Sequence, residues 1–357
     1  MKKLSSGPAL LCLAISSISI TSCKSGSSLP GASPIIISGA GSSFVYPVMG
    51  KWTEAFRQSH PGVEINYQSI GSGGGIQQVK SGTVDFGATD APLTDEQLAA
   101  MKPVIQIPET AGPVCITYNL PDLKQPLQLS GETLALIFLG QVKTWQDQAI
   151  KRDNPGVALP KINVVVTHRA EGSGTTAIFT TYLSVISSKW EQQVGKGTAV
   201  NWPVGVGGKG SEGVTGQIRQ TPGAIGYVEL TYAQQNNLPV AAIGNLAAKY
   251  VLPSTASTTA AIQAFSEQLL RDPRTPIVNP PASAADAYPI TGLTFLLVPK
   301  DGSGKAKRGA LKDFIKYIIF DGQTVAGTMA YAPLPDQVKK YDIWQISQLS
   351  ADGQALP

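Results

Sequence analysis

Three times in this chain a short β-type run stops at a glycine- and serine-rich loop and hands over at once to a helical pattern. Ile35-Ile36-Ile37 leads into Gly39-Ala40-Gly41-Ser42-Ser43, and a helical stretch follows through Met49, Trp52 and Phe56. Val63 to Tyr67 alternates as a strand does, meets Gly71-Ser72-Gly73-Gly74-Gly75, and continues as Ile76-Gln77-Gln78-Val79. Ile162 to Val166 enters a loop running from His168 to Thr176, then an amphipathic stretch carrying Ile178, Phe179, Tyr182, Leu183 and Ile186. Strands that feed helices through tight loops are the unit of α/β layers, so an α/β fold with largely parallel sheets is expected. Asp85 to Ala88 adds a short strand that ends in Thr89-Asp90-Ala91-Pro92, ahead of a helix where Thr94 and Gln97 fit a capping box. Near the end, Leu293 to Val298 reads as a strand, and Leu311, Phe314, Ile315, Ile318 and Ile319 share one face of a helix. The glycine-rich middle, about 200–230, reads as tight loops between elements. Gly208-Lys209 is not a P-loop, because Gly210 stands where Ser or Thr must follow the lysine.

The first 22 residues are expected to be a secretory signal: Lys2 and Lys3 precede a short apolar stretch from Ala9 to Ile20. That stretch is too short to span a bilayer. Ile20-Thr21-Ser22-Cys23 resembles a bacterial lipobox, which makes Cys23 the expected lipidation site and residues 23–33 a Gly/Ser-rich tether. The mature protein is then anchored rather than membrane-spanning, and lies outside the cytoplasm. The formal charge of +4 comes partly from the two signal lysines, and no basic run with interleaved aromatics exists. Nucleic-acid binding is therefore unsupported. Of three cysteines, only Cys115 belongs to the folded part, inside an apolar run where it reads as a buried thiol without a disulfide.

A Gly/Ser loop ahead of a helix exposes backbone N–H groups, and the helix N-terminus adds partial positive charge, so each such loop can receive an anion. Three of them, with Arg169 beside one, point to a tetrahedral oxyanion. Arg169 can make a paired, charge-assisted contact with such a ligand while Glu171 orients it. The competing role for Arg169 is a surface ion pair. Asp90 is an acid where an anion site wants none, unless the ligand brings a proton to share. Its competing role is a turn cap before Pro92. Catalysis has little to work with. His60 and His168 are the only histidines, and Ser173 lacks the G-x-S-x-G elbow. No cofactor is expected, and the scattered histidines leave no metal set.

These residues resemble the phosphate-binding protein family of the high-affinity phosphate ABC transporters. The resemblance runs from about Ile37 to about Trp344, through Gly39-Ala40-Gly41 with Ser43-Phe44, Asn66-Tyr67-Gln68 through Gly71-Ser72, and Val84 to Leu93. It continues through Arg169 to Thr175, Trp202-Pro203 with Gly207 to Gly210, Pro222 to Glu229, and Tyr331-Ala332 with Leu334-Pro335. It implies the type II periplasmic-binding-protein fold, two α/β lobes joined by two hinge crossovers near Thr110–Pro113 and Tyr288–Thr291. The implied lobes are residues 34–110 with 290–357, and residues 111–289. The implied phosphate ligands are Ser42, Ser43, Phe44, Ser72, Asp90, Arg169, Ser173, Gly174 and Thr175, with Glu171 in support. The family usually carries Thr at the place of Ser43, Asp at that of Glu171 and Pro at that of Val45. Inorganic phosphate, the permease subunits and the membrane, through the lipid anchor, are the implied partners of a monomer. A different oxyanion such as sulfate is the alternative among binding proteins. A secreted phosphatase or hydrolase using Ser173 and His168 is the alternative among enzymes.

Overall fold

The computed structural model describes residues 33–357; the expected signal peptide, Cys23 and all but the last residue of the expected tether lie outside the described residues. The main elements alternate as the loops require. β1 (Ile35–Gly41) leads to α1 (Tyr46–Ser59), β2 (Val63–Ser69) to α2 (Ser72–Ser81), and β3 (Phe86–Thr89) to the long β4 (Val104–Tyr118) by way of a short capped helix, Asp95–Ala99. β5 (Val165–Arg169) leads to α3 (Gly174–Ile186), β6 (Val206–Gly208) to α4 (Gly210–Gln220), and β7 (Ala224–Glu229) to α5 (Leu230–Gln235). β8 (Ile290–Pro299) and α6 (Lys305–Ile319) follow. β5 begins three residues later than the β-branched run suggests, and the capping box of Thr94 and Gln97 forms as read.

A nine-stranded sheet runs in the order β2-β1-β3-β8-β4-β7-β5-β6, with Ile277–Val278 attached to β8. The expectation of largely parallel sheets needs correction. β1 is parallel to β2 and β3, and β5 is parallel to β6 and β7, but β8 and β4 run antiparallel to their neighbours in between. Composition and periodicity mark a strand without marking its direction, and a late strand inserted into an early sheet leaves no local signal. The parallel groups matter for the site, because ligands gather at the C-terminal ends of parallel strands, where the Gly/Ser loops stand.

β4 links the two halves of the sheet. Val104 to Pro113 pair with β8, and Val114 to Tyr118 pair with β7. The register against β8 shifts at Thr294/Phe295, which sit opposite Thr110 and Pro108, so Glu109 is the extra residue of a β-bulge. Gly112 and Gly292 face each other in this ladder. A Cβ on Gly112 would come within 2.9 Å of the Phe44 ring, and one on Gly292 within 2.1 Å of the Ile178 side chain. Both neighbours therefore pack directly on bare backbone.

Helices cover the sheet with the faces the sequence marks. α1 buries Val48, Met49, Trp52 and Phe56, and α6 buries Leu311, Phe314, Ile315, Ile318 and Ile319. Phe314 meets Phe56 edge-on at 5.2 Å between ring centres, which joins α6 to α1. On the other side of β4, Tyr227 stacks on Phe179 at 4.5 Å, and Phe138 meets Phe179 edge-on. Cys115 is a buried free thiol hydrogen-bonded to the Val228 carbonyl.

Candidate functional site

Four helices begin within one polar cluster: α1 after Ser43, α2 at Ser72, α3 at Gly174 and α4 at Gly210. Contacts between their first turns tie the cluster together. Ser43 Oγ lies 3.0 Å from Ser211 Oγ and accepts from the Ser211 N–H at 3.1 Å. The Gly73 N–H donates to the Gly172 carbonyl at 2.9 Å. A Cβ on Gly174 would stand 2.6 Å from the Asp90 nitrogen, so only glycine lets the start of α3 come this close to the end of β3. The partial positive charges of four helix ends thus face a small shared region.

Arg169 is the last residue of β5 and is almost fully buried. Its Nε donates to Glu171 Oε1 at 2.7 Å, and the adjacent Nη2 donates to the same oxygen. The Gly210 N–H also reaches that oxygen, at 3.1 Å. Glu171 therefore holds one edge of the guanidinium in a charge-assisted pair. The other edge faces hydroxyls: Nη1 lies 3.4 Å from both Thr175 Oγ1 and Ser211 Oγ. The surface ion-pair alternative fails, since this guanidinium is inside the protein.

Asp90 is buried beside the same Thr175 hydroxyl. Ser42 Oγ donates to one carboxylate oxygen, and Thr175 Oγ1 donates to the other at 3.3 Å. Burial pushes its pKa up to about 6, against the opposing pull of the Ser42 hydroxyl, the Arg169 charge and Thr175. The turn-cap alternative is answered by a neighbour: Thr89 makes the local turn, with its hydroxyl bonded to both the N–H and the carbonyl of Ala91. The Asp90 carboxylate is left to face the cluster.

The remaining expected residues fall in the same place. Ser42 Oγ accepts from the Phe44 N–H at 3.0 Å, and the Phe44 carbonyl accepts from Tyr331 Oη at 2.6 Å. Ser72 Oγ accepts from the Asp90 N–H at 3.3 Å. Ser173 caps α3 by accepting from the Thr176 N–H at 3.1 Å, which leaves its hydroxyl proton free to donate. His168 does not pair with Ser173. Its Nδ1 donates to the Arg169 carbonyl, and its ring stacks on Trp202 at 4.8 Å. No serine–histidine couple forms here.

Sequence reasoning missed Ser211. The stretch read as loops contains β6 and then α4, which buries Ser211, Val214, Thr215 and Ile218 on one face. A helical i, i+3, i+4, i+7 spacing was present, but Gly210, Gly213 and Gly216 masked it. The signal that could have found it is the grammar of the other loops: Val206-Gly207-Gly208-Lys209-Gly210-Ser211 is a fourth strand, glycine and serine sequence ahead of a helix. Two buried acids also went unremarked. Glu229 caps α5 through the Thr231 N–H, and Glu109 receives the Thr294 hydroxyl at 2.7 Å; burial drives both up to about 8.

Residues 28–321 match the model of the PBP superfamily domain. A phosphate-binding protein PstS of Xylella fastidiosa is 41% identical over 358 aligned residues, covering 95% of this chain and 97% of that protein. A phosphate-binding protein PstS of Methanocaldococcus jannaschii is 37% identical, covering 95% and 94%. The chain belongs to the PstS family of phosphate-binding proteins. Among solved structures, a high-affinity periplasmic phosphate-binding protein bound with phosphate superimposes with a TM-score of 0.66 at 22% identity, covering 85% of this chain and 92% of that one. The fold is thus the type II periplasmic-binding-protein fold, two α/β lobes joined by two crossovers, and the family member is a binding protein rather than an enzyme. Among the described residues no helix is long and apolar enough to cross a membrane.

Proposed function

We propose that this chain captures inorganic phosphate between its two lobes and hands it to the permease subunits of a phosphate ABC importer. The observation that carries the reading is the buried Arg169 guanidinium, held on one edge by Glu171 and turned on the other toward Ser211 and Thr175, the latter in turn bonded to the Asp90 carboxylate. A tetrahedral anion needs donors from several directions, and one arginine, a set of hydroxyls and four helix ends supply them. One acceptor among these donors suits an anion that still carries a proton. Phosphate retains a proton near neutral pH and sulfate does not, so Asp90 favours the former. Ser42, Ser43, the Phe44 backbone, Ser72, Asp90, Arg169, Ser173, Gly174 and Thr175 form the ligand shell in this reading, and Ser211 joins them. The names of the relatives support the same ligand.

In this reading residues 34–110 and 290–357 make one lobe and residues 111–289 the other. The crossovers are Thr110–Pro113 and Tyr288–Thr291; Thr110 to Pro113 pair with Thr291 to Thr294 in one ladder. Closure about these strands buries the anion and is favoured by it, because only the closed form engages all donors. The protein works outside the cytoplasm as a monomer, tethered by lipid on Cys23. Calorimetric titration of the ligand-stripped protein with phosphate and sulfate tests the central statement. One phosphate per chain with much weaker sulfate binding is expected. Equal affinity for both, or a preference for sulfate, would overturn it.

A further inference from the structure

Glu212 follows Ser211 in the first turn of α4 and is exposed. Its Oε1 accepts from Ser69 Oγ at 3.1 Å, at the last residue of β2, and from Tyr232 Oη at 3.0 Å, in α5. The buried Tyr232 hydroxyl also lies 2.7 Å from the Ser43 carbonyl. A phenol has one proton, so the two acceptors share it. Burial and the adjacent Glu212 charge both raise the Tyr232 pKa, which keeps that proton in place. Ser43 and Ser69 lie in the segment 34–110, whereas Glu212 and Tyr232 lie in 111–289. The Ser69–Glu212 and Tyr232–Ser43 contacts therefore cross from one lobe to the other, and the Tyr232–Glu212 bond within one lobe ties them together. Glu212 makes no hydrogen bond to Arg169, Asp90 or Thr175, nor does Tyr232.

We propose that Ser69, Glu212 and Tyr232 form a latch that sets how long the closed cleft retains its anion, without contacting the anion themselves. This rests on the reading that phosphate is captured between the lobes. The two cross-lobe contacts, Ser69–Glu212 and Tyr232–Ser43, can exist only when the lobes are together, so they stabilise the closed form alone. Association starts from an open form and does not feel them; release must break them. The Gly73–Gly172 backbone bond and the Ser43–Ser211 pair also span the cleft and survive in any latch variant. Loss of the latch therefore hastens release without abolishing closure.

The test is stopped-flow kinetics of the full chain with inorganic phosphate, following intrinsic fluorescence or a rim-attached dye. Tyr232→Phe should release phosphate about tenfold faster, and Ser69→Ala about two- to fivefold faster, the range for losing hydrogen bonds of this kind. Association rates should stay within a factor of two of wild type. Both changes are small and leave the interior filled, and an unchanged melting temperature without phosphate separates the effect from misfolding. Glu212→Gln keeps the acceptor and should speed release less; it also removes a negative charge near an incoming anion, so any gain in association rate should vanish at high salt. Unchanged release rates in Tyr232→Phe and Ser69→Ala, with tight phosphate binding by wild type, would overturn the latch alone. A folded wild type that shows no phosphate binding would overturn the capture reading and the latch with it.

Discussion

Replacing Asp90 by Asn keeps the side chain's size, removes its charge and adds an NH2 donor. In the wild type both carboxylate oxygens already accept hydroxyl protons, from Ser42 and Thr175, and the group sits in a buried, donor-rich setting. The proposed third partner is the proton of phosphate. Changing a charge-assisted hydrogen bond into a neutral one should cost about 1–2 kcal/mol, or roughly 5- to 30-fold in phosphate affinity. Sulfate has no proton to give, and meets lone pairs in the wild type and a donor in Asp90→Asn. Its binding should tighten, and the phosphate-to-sulfate ratio should fall. A second arm uses pH. Asp90 titrates at about 6, so at pH 5 the wild type carries a neutral acid that can itself donate. The wild-type ratio should therefore shrink between pH 7.5 and pH 5 by more than that of Asp90→Asn, and comparing the two proteins cancels the titration of phosphate itself. The assay is calorimetric titration of both proteins with both anions at both pH values and one ionic strength. A ratio that stays level or grows in Asp90→Asn, or equal pH responses in the two proteins, would refute the argument and move discrimination to the shape of the site.

Other substitutions probe separate parts of the same account. Arg169→Ala should weaken phosphate binding by about 2–5 kcal/mol, the range for deleting one partner of a buried charge pair, and titration at constant pH checks it. Gly174→Ala should lower affinity by at least tenfold while the protein still folds, since its methyl would press on the Asp90 backbone; a lost phosphate-induced rise in melting temperature beside normal circular dichroism is the expected result. Glu109 has a folded pKa of about 8, above its ordinary value of 4.5, so its contribution to stability is complete below about pH 4.5 and is lost as pH rises through 8. Glu109→Gln should spare the protein a decline on the order of 3 kcal/mol between pH 5 and pH 8.5, and parallel pH profiles of chemical denaturation would contradict this. Cys23→Ala should abolish incorporation of labelled lipid; equal labelling would dismiss the anchor.

What could be read from the sequence follows from which forces are local. The strand, Gly/Ser loop and helix units around Ser43, Ser72 and Ser173 were legible because each is fixed within about fifteen residues by glycine conformations, capping hydroxyls and apolar spacing. The α6 face was legible for the same reason. The direction of β8 was not, because it depends on a chain that returns after residue 289 to insert between β3 and β4. α4 was hidden by its own glycines, and Ser211 with it. Glu109 gave no sign, since an acid in an apolar strand looks like a solvent-facing position until the bulge at Thr294/Phe295 turns it inward. Arg169, Glu171 and Asp90 could be nominated from their loops, but the division of labour between the two edges of the guanidinium needed coordinates.

The facing pair Gly112 and Gly292 has a mechanical consequence. Phe44 belongs to the loop that opens α1, Ile178 belongs to α3, and the two rest on adjacent bare stretches of backbone in the same ladder. With the lobes divided as proposed, the joint between them is a pair of hydrogen-bonded ribbons on which Phe44 and Ile178 rest, closer to a leaf spring than to a pin. A methyl at either glycine would act as a shim, spreading the walls without replacing any proposed ligand residue. Resting angle and ligand chemistry are separate variables in such a receptor, and a sensor could be retuned from the spring without a single change in the pocket.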